Sequence, residues 1–516
     1  MNITDPADPL LPPTKRGRHR SARERQRKGP MWGCLKGLIW AFGILFFLLF
    51  LIIGGGWFLL GSSNFEEYVA KKIETNLEDR LGREVTIGTF HYERPDKFIL
   101  NDVRIANAPG AAAPYFARVR QIEITGNVQS FWGRAVQVSR IDIRDPFVWF
   151  EIFPDGRHNF PSWRPAPKRR FQFQIVHVDF NKMHITNGAF GFNDRKHDIA
   201  ALAQKIDSTI TVTRAEDLYA GIMNSPLVRV RIQEYLPFDV TMRGGFRFTP
   251  GVLALQSVAL RGEGIEAFIS GKLDPLAEAR YDLRVTSKLA LPRIKEIFKV
   301  QQTLEGDFSM DTRLRGKSGD FEMAGGWSSP HIVADAYELT DAKGRLTITD
   351  QNLTLHVEKA GYGGGTIGAD YRLAQYADPY PMKVDLRYYN IGLEPLFADW
   401  GIENTGLRGA ATGNLSYRWN KDKILDGAGD GTARLSKSTV AFSKARYPIG
   451  IAGTTDFSLN RGVVTFRRAE LDTDASHVSL TGTLGIEGVI TNLRMNIRST
   501  DFAELDRIGF NFAQSA

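Results

Sequence analysis

Along this chain of 516 residues the spacing of apolar side chains changes character twice. Gly37 to Leu60 contains no charged side chain and is dominated by Leu, Ile, Phe and Trp. As a helix that run reaches about 36 Å, against a bilayer hydrocarbon core of about 30 Å, so the pattern predicts a membrane-spanning helix with some tilt. The apolar run of a cleaved signal peptide is shorter, about 7–15 residues. The next segment keeps a helical period. Phe65, Tyr68, Val69, Ile73, Leu77 and Leu81 recur at its spacing, Ser62, Ser63 and Asn64 offer N-caps, Glu66 and Glu67 suit the positive helix start, and Gly82 supplies the stop.

Beyond Gly82 the period falls to two. Met382, Val384, Leu386 and Tyr388 alternate with Lys383, Asp385 and Arg387, and Leu353, Leu355 and Val357 alternate with Asn352, Thr354 and His356. Leu493, Met495 and Ile497 alternate with Arg494, Asn496 and Arg498, and Leu415, Tyr417 and Trp419 with Ser416 and Arg418. Each run predicts a strand of an antiparallel sheet with one apolar face. Fifty glycines and frequent Asn, Asp and Gly between the runs fit many short turns. The stretch from Glu216 to Phe238 has no clear period, and Pro226 breaks any single long helix there.

The second half repeats an order of elements: a hairpin, a glycine-punctuated strand, a charged strand and a short helix. It runs first through Gly251-Val252-Leu253, Gly271-Lys272-Leu273 and Tyr281-Asp282-Leu283-Arg284. It returns through Asn352-Leu353, Gly368-Ala369-Asp370-Tyr371 and Val384-Asp385-Leu386-Arg387, and again through Gly462-Val463-Val464, Gly482-Thr483-Leu484 and Met495-Asn496-Ile497-Arg498. The helices carry matching apolar stripes: Leu291, Ile294, Ile297 and Phe298; Leu393, Leu396, Phe397 and Trp400; Phe502, Leu505 and Ile508. A repeat of about 100–110 residues implies a stack in which each unit mainly touches its neighbours. A one-sided apolar sheet must cover that face with another layer, with itself or with a ligand, so it either closes as a sandwich or curls into a groove.

Charge orients the chain. Eight Lys/Arg lie between Lys15 and Lys28, and so basic a flank stays in the cytoplasm while the body is exported. Residues 1–36 carry nine Lys/Arg against three acids, so the tail holds +6 of the formal net charge of +8. The basic balance is therefore no argument for nucleic acid. Cys34 is the single cysteine, placed before the apolar run, which excludes a lipoprotein anchor and leaves the body without disulfides or a cysteine-based metal site. Pro165 and Pro167, with Arg164, Lys168, Arg169 and Arg170, mark a stiff solvated linker. The expected divisions are a basic tail (1–30), a transmembrane anchor (31–61), a helix-then-β region (62–165), a β-rich middle (166–243) and three repeats (244–516).

No catalytic constellation emerges, and no enzyme, cofactor or metal is expected. The nine histidines are scattered without ligand spacing. Asp194, Arg195, Lys196, His197 and Asp198 form the densest polar cluster, read as a solvated turn in preference to a carboxylate–His pair. Gly361, Gly363, Gly364, Gly365 and Gly368 lack the following helix that a phosphate loop needs and read as a bulge or tight bend. Asp155-Gly156 reads as a hairpin turn, with Asn159 bonded to nearby backbone. Arg140, Arg144, Arg169 and Arg170 could meet lipid phosphates, although exposed arginines need no such reason.

The region 31–165 resembles the AsmA family. The likeness rests on Leu81-Gly82-Arg83-Glu84-Val85-Thr86-Ile87-Gly88 and on Leu100-Asn101-Asp102-Val103-Arg104-Ile105-Ala106-Asn107-Ala108-Pro109-Gly110. It continues through Phe116-Ala117-Arg118-Val119, Val138-Ser139-Arg140-Ile141-Asp142-Ile143 and Asp155-Gly156-Arg157-His158-Asn159-Phe160. Over 245–516 the likeness is architectural, to the repeating strands of AsmA- and TamB-type proteins. The resemblance implies a single-pass inner-membrane protein with a cytoplasmic N-terminus, a periplasmic body and a role in outer-membrane biogenesis. Its fold would be mainly β: a transmembrane helix, then a long curved antiparallel sheet built of repeats, groove-like, with a few short amphipathic helices. Membrane phospholipid would lie along the groove, lined by Leu353, Leu355, Val357, Met382, Val384, Leu386, Leu480, Leu493, Met495 and Ile497. The competing expectation is an assembly or targeting factor for outer-membrane proteins, docking an outer-membrane or periplasmic partner at its C-terminus through Phe502–Phe512 without moving lipid.

Overall fold

The computed structural model describes residues 63–93, 96–127, 137–161, 182–213, 218–249, 251–274, 278, 280–317, 320–399, 406–438, 447–485 and 491–515. The predicted anchor and basic tail, the 164–170 linker and Trp400 lie outside them. Among the described residues no helix is long and apolar enough to cross a membrane.

Helix α1 (Ser63–Leu81) precedes β1 (Val85–Glu93), β2 (Lys97–Ala106), β3 (Tyr115–Asn127), β4 (Gln137–Ile152), β5 (Lys182–Asp194), β6 (Ile199–Thr213), β7 (Leu218–Ile232) and β8 (Phe238–Thr249). Then come β9 (Val252–Gly262), β10 (Ile265–Leu273), β11 (Tyr281–Ala290), the short helix α2 (Leu291–Phe298), β12 (Leu304–Lys317), β13 (Asp320–Ala334) and β14 (Tyr337–Thr349). The order of three strands and a helix returns in β15 (Leu353–Tyr362), β16 (Gly365–Leu373), β17 (Pro381–Gly392) and α3 (Leu393–Asp399). There follow β18 (Leu407–Asn420), β19 (Lys423–Lys437), the two-residue β20 (Ile449–Gly450) and β21 (Ala452–Asn460). The order recurs in β22 (Val463–Asp472), β23 (Ser476–Gly485), β24 (Thr491–Ser499) and α4 (Phe502–Ser515).

These strands form one sheet in which neighbours in sequence are neighbours in space. Pairing is antiparallel except that β5 runs parallel to β4 and β20 runs parallel to β18, β19 pairing onward with β21. β1 pairs with β2 and β24 with β23, each on one side, so the sheet is open. Within the uncertain stretch, Leu218–Ile232 is β7, and the turn after it leads into β8 at Phe238. Pro226 sits where the β7–β8 register shifts, at a bulge that needs no N–H from it. Beside it Ser225 is fully buried, and its hydroxyl donates to the Gln204 carbonyl at 2.7 Å.

The end of β4 is held by polar groups. The Asp155-Gly156 turn brings Asn159 back against β4, where its N–H donates to the Glu151 carbonyl at 3.0 Å and its Oδ1 accepts the Glu151 N–H at 2.8 Å. Its Nδ2 donates to the Trp149 carbonyl at 2.8 Å and to Asn107 Oδ1 at 2.9 Å, at the end of β2. Asn159 is fully buried and every one of these groups is matched, as burial of polar atoms demands.

Bulges recur along the strands, among them Ile269/Gly271, Val357/Ala360, Tyr388/Ile391 and Phe466/Ala469, and each bends and twists its strand. The accumulated curvature brings opposite strand ends together. Lys196 in the β5–β6 turn pairs with Asp320 at the start of β13 (3.4 Å), and the His197 ring meets Phe321 edge-on with centroids 5.9 Å apart.

Candidate functional site

Register places one apolar row across the sheet. It passes from Ile124 to Ile141, Met183, Ile210, Gly221, Phe246, Leu255, Gly271 and Leu283, each directly opposite the next. It continues through Leu314, Met323, Ile348, Leu353, Leu373, Met382 and Trp419. Ile124 and Ile141 are buried because α1 lays Ala70, Ile73 and Leu77 over the first strands. From Met183 onward every residue of this row is only half-buried. A sandwich would hide a central row on its inner face; this row packs sideways on its neighbours and stays accessible from above. The opposite face is charged and held by cross-strand pairs such as Arg284–Asp311 (2.6 Å) and Arg229–Asp239 (2.8 Å).

The ten sequence-predicted lining residues share the apolar face. Leu353, Leu355 and Val357 on β15 connect through Leu373, Tyr371 and Ala369 on β16 to Met382, Val384 and Leu386 on β17. Leu386 continues through Leu415, Gly431, Phe457, Phe466 and Gly482 to Leu493 on β24. Leu480 lies opposite Met495, and Val478 opposite Ile497. Eight of the ten are half-buried, whereas Met495 (58% exposed) and Ile497 (43%) stand open at the edge strand. The structure thus brings them together as two patches of a longer surface.

Sequence reasoning missed the part of that surface between β5 and β14: Phe246, Leu255, Leu283, Leu314, Met323, Ile348 and the stacked pair Phe308–Trp327 (5.2 Å). Glycines interrupt the alternation there, and the interruptions are structural. A Cβ on Gly221 would lie 2.7 Å from Phe246 Cζ, so the ring of one strand covers the glycine of the next. The usable signal was a glycine at an inward position with an aromatic one hairpin later.

The polar candidates resolve into structural roles. Asp194 is buried, not solvated: it accepts the N–H groups of Lys196 (2.9 Å) and His197 (3.1 Å) and contacts His197 Nδ1 at 2.7 Å, so the carboxylate–His pair closes a turn. Nearby, burial and then the charges of Asp194 and Asp320 push the Tyr281 phenol up to about 12. Gly363 and Gly364 form the β15–β16 turn. Arg140 is taken up by Asp142 and Arg144 by Glu123, while Arg169 and Arg170 lie outside the described residues. Among the described residues no three His, Cys, Asp or Glu side chains are grouped to hold a metal. At the C-terminus, Glu504 of α4 is buried in the β22–β23 turn, accepting Thr473 Oγ1 (2.7 Å), the N–H groups of Asp474 (3.1 Å) and Ala475 (3.2 Å), and the Ser476 hydroxyl. Phe502, in the same helix, is 78% exposed.

Among the described residues the arrangement offers a long, open, apolar strip with a charged back. Comparison with known protein families, with curated proteins and with solved structures finds no match to this chain.

Proposed function

We propose that this chain is an AsmA-like protein of the cell envelope, anchored in the inner membrane by Gly37–Leu60, whose periplasmic sheet binds phospholipid by its acyl chains. The observation that carries the reading is the half-buried apolar row from Met183 to Trp419. Apolar surface of that extent is costly in water, at about 25 cal/mol per Å², and a soluble protein that keeps it open has a use for it. Acyl chains suit it because they are long, flexible and indifferent to exact spacing. Their headgroups would remain in solvent at the rim. The repeated order of strands and helices is then a way of lengthening one groove, and the contact between the β5–β6 turn and β13 is the curl that gives it walls.

The test is to purify residues 62–516 from the periplasm without detergent and identify the extracted lipid by mass spectrometry. Phospholipid should co-purify at several molecules per chain and be lost when Leu355, Leu386 and Ile497 are changed together to Asp. Background lipid on a well-folded monomer would sink this reading and leave the assembly-factor reading in front.

A further inference from the structure

The turn between β5 and β6 and the turn between β12 and β13 belong to opposite ends of the strands. Followed across the ladder, the first lies at the end that carries Ile232 of β7, Phe238 of β8, Gly262 of β9, Leu289 of β11 and Ala334 of β13. The second, where Lys317 stands opposite Asp320, lies at the other end. Lys196 nevertheless reaches Asp320 at 3.4 Å, 124 residues along the chain, and the His197 ring meets Phe321 edge-on. The contact therefore crosses the sheet from one rim to the other.

It crosses on the apolar side. Tyr281, Gly316 and Phe321 stand opposite one another, two residues along from Leu283, Leu314 and Met323, so they share the face of the apolar row. Phe321 is the ring that His197 touches, and the Tyr281 hydroxyl donates to the Asp320 carbonyl at 3.3 Å on the same rim. The stretch of the row through Ile210, Phe246, Leu255 and Leu283 runs between the two rims that meet.

The two sides of this joint differ in firmness. The turn is fixed to its own rim: the Arg195 N–H donates to the Ile152 carbonyl at 2.9 Å, its guanidinium donates to the Gly110 carbonyl at 3.1 Å, and the Gln233 N–H donates to the Asp198 carbonyl at 2.7 Å. The joint to β13 is made by an ion pair, whose side chains are 33% and 62% exposed, and by a ring edge. Ion pairs that open to solvent are weak. Closure also leaves Nε2 of His197 buried without a hydrogen-bond partner among the described residues, a cost that solvent relieves on opening. A rigid arm on a weak joint is poised to open through a small change in the curl of the strands between.

We propose that the β5–β6 turn is a latch across the mouth of the groove. Shut, it roofs the strip from β6 to β12, which water still reaches and a bulky molecule does not. Open, it admits a ligand from the side. That the ligand is a phospholipid rests on the reading above; the latch itself does not.

The test uses the full chain in nanodiscs, with C34S and a reporter cysteine introduced by L255C, labelled with a bulky polyethylene glycol maleimide. K196E sets like charge against Asp320, and F321A removes the ring. Each should speed labelling about fivefold or more by raising the open population. K196E/D320K restores the pair in reverse and should return the rate to that of the parent. F246C, across the ladder from Leu255, is the second reporter if L255C fails to fold. A rate unchanged by K196E and F321A, or a K196E effect that D320K does not reverse, would overturn the latch. Release of a fluorescent phospholipid from the same variants separates the two readings: labelling that follows the joint while no phospholipid binds keeps the latch and sinks the lipid reading.

Discussion

The Glu74 carboxylate accepts the backbone N–H of Ile87 at 2.7 Å, so a helix side chain stands where a neighbouring strand would otherwise pair. Glu78 does the same for Val85, one helical turn away. Charge-assisted bonds to otherwise unpaired N–H groups are worth about 1.5–3 kcal/mol each. E74A/E78A should lower the unfolding midpoint and expose an edge that self-associates. Light scattering against concentration is the measurement; a variant that stays monomeric at all concentrations would show that α1 blocks the edge by bulk alone.

Gly431 and Phe457 face each other across β19 and β21, and a Cβ on Gly431 would have three atoms of the Phe457 ring as its nearest neighbours. G431A should therefore destabilise by about 1–3 kcal/mol through overpacking. F457A costs packing by itself, but in the double variant the two losses should not add, because the ring that clashes is gone. Chemical denaturation of the four proteins gives the coupling, and strict additivity would contradict the contact.

Leu386 is one contact in a strip that crosses most of the sheet. If acyl chains lie along that strip, L386A should leave more than about half of the bound phospholipid in place, since its side chain is one of many contacts spread along each acyl chain. Quantitative lipid extraction tests this against the triple Asp variant. Complete loss of lipid from L386A would mean a localised pocket in place of a distributed surface.

Burial raises the Glu504 carboxyl, but hydrogen bonds from Ser476, Thr473 and the N–H groups of Ala475 and Asp474 outweigh it and leave the group below its ordinary value of 4.5. A depressed folded value means that its stabilisation is present above that ordinary value and disappears as pH falls through the folded one. Amide protection of α4 and the 473–476 turn should hold at pH 7 and be lost in acid only below the ordinary carboxyl value, and E504Q should have weak protection already at pH 7. An E504Q protein with wild-type protection at pH 7 would remove Glu504 from the docking.

How much of this was readable in advance differs by element. The alternation of Met382, Val384 and Leu386 needed only local reading, because a strand with one solvated face must repeat at two. The stripe of Leu291, Ile294, Ile297 and Phe298 was equally direct, and Leu291 and Ile297 are its buried members. By contrast Tyr68, counted on the same stripe as Ile73, is 59% exposed. Helical spacing says which residues share a face; it does not say how far the neighbouring sheet extends beneath it. β7 went unread because Pro226 signals an interruption, and only its partners reveal a bulge.

From the sequence alone came the one-sided strands, the short helices, the order in which they recur and the apolar residues that belong together, since these follow from period and from what each side chain tolerates at its own position. Tertiary structure decided the rest: that β5 runs parallel to β4, that Asn159 turns back onto the end of β4, that the strands join as one open sheet instead of two closed ones, and that α1 caps β1. Those facts depend on which distant residues meet, as Asn159 meets Asn107 and Glu74 meets Ile87. Local propensity is blind to such meetings because their energy exists only once the chain has brought both partners to the same place.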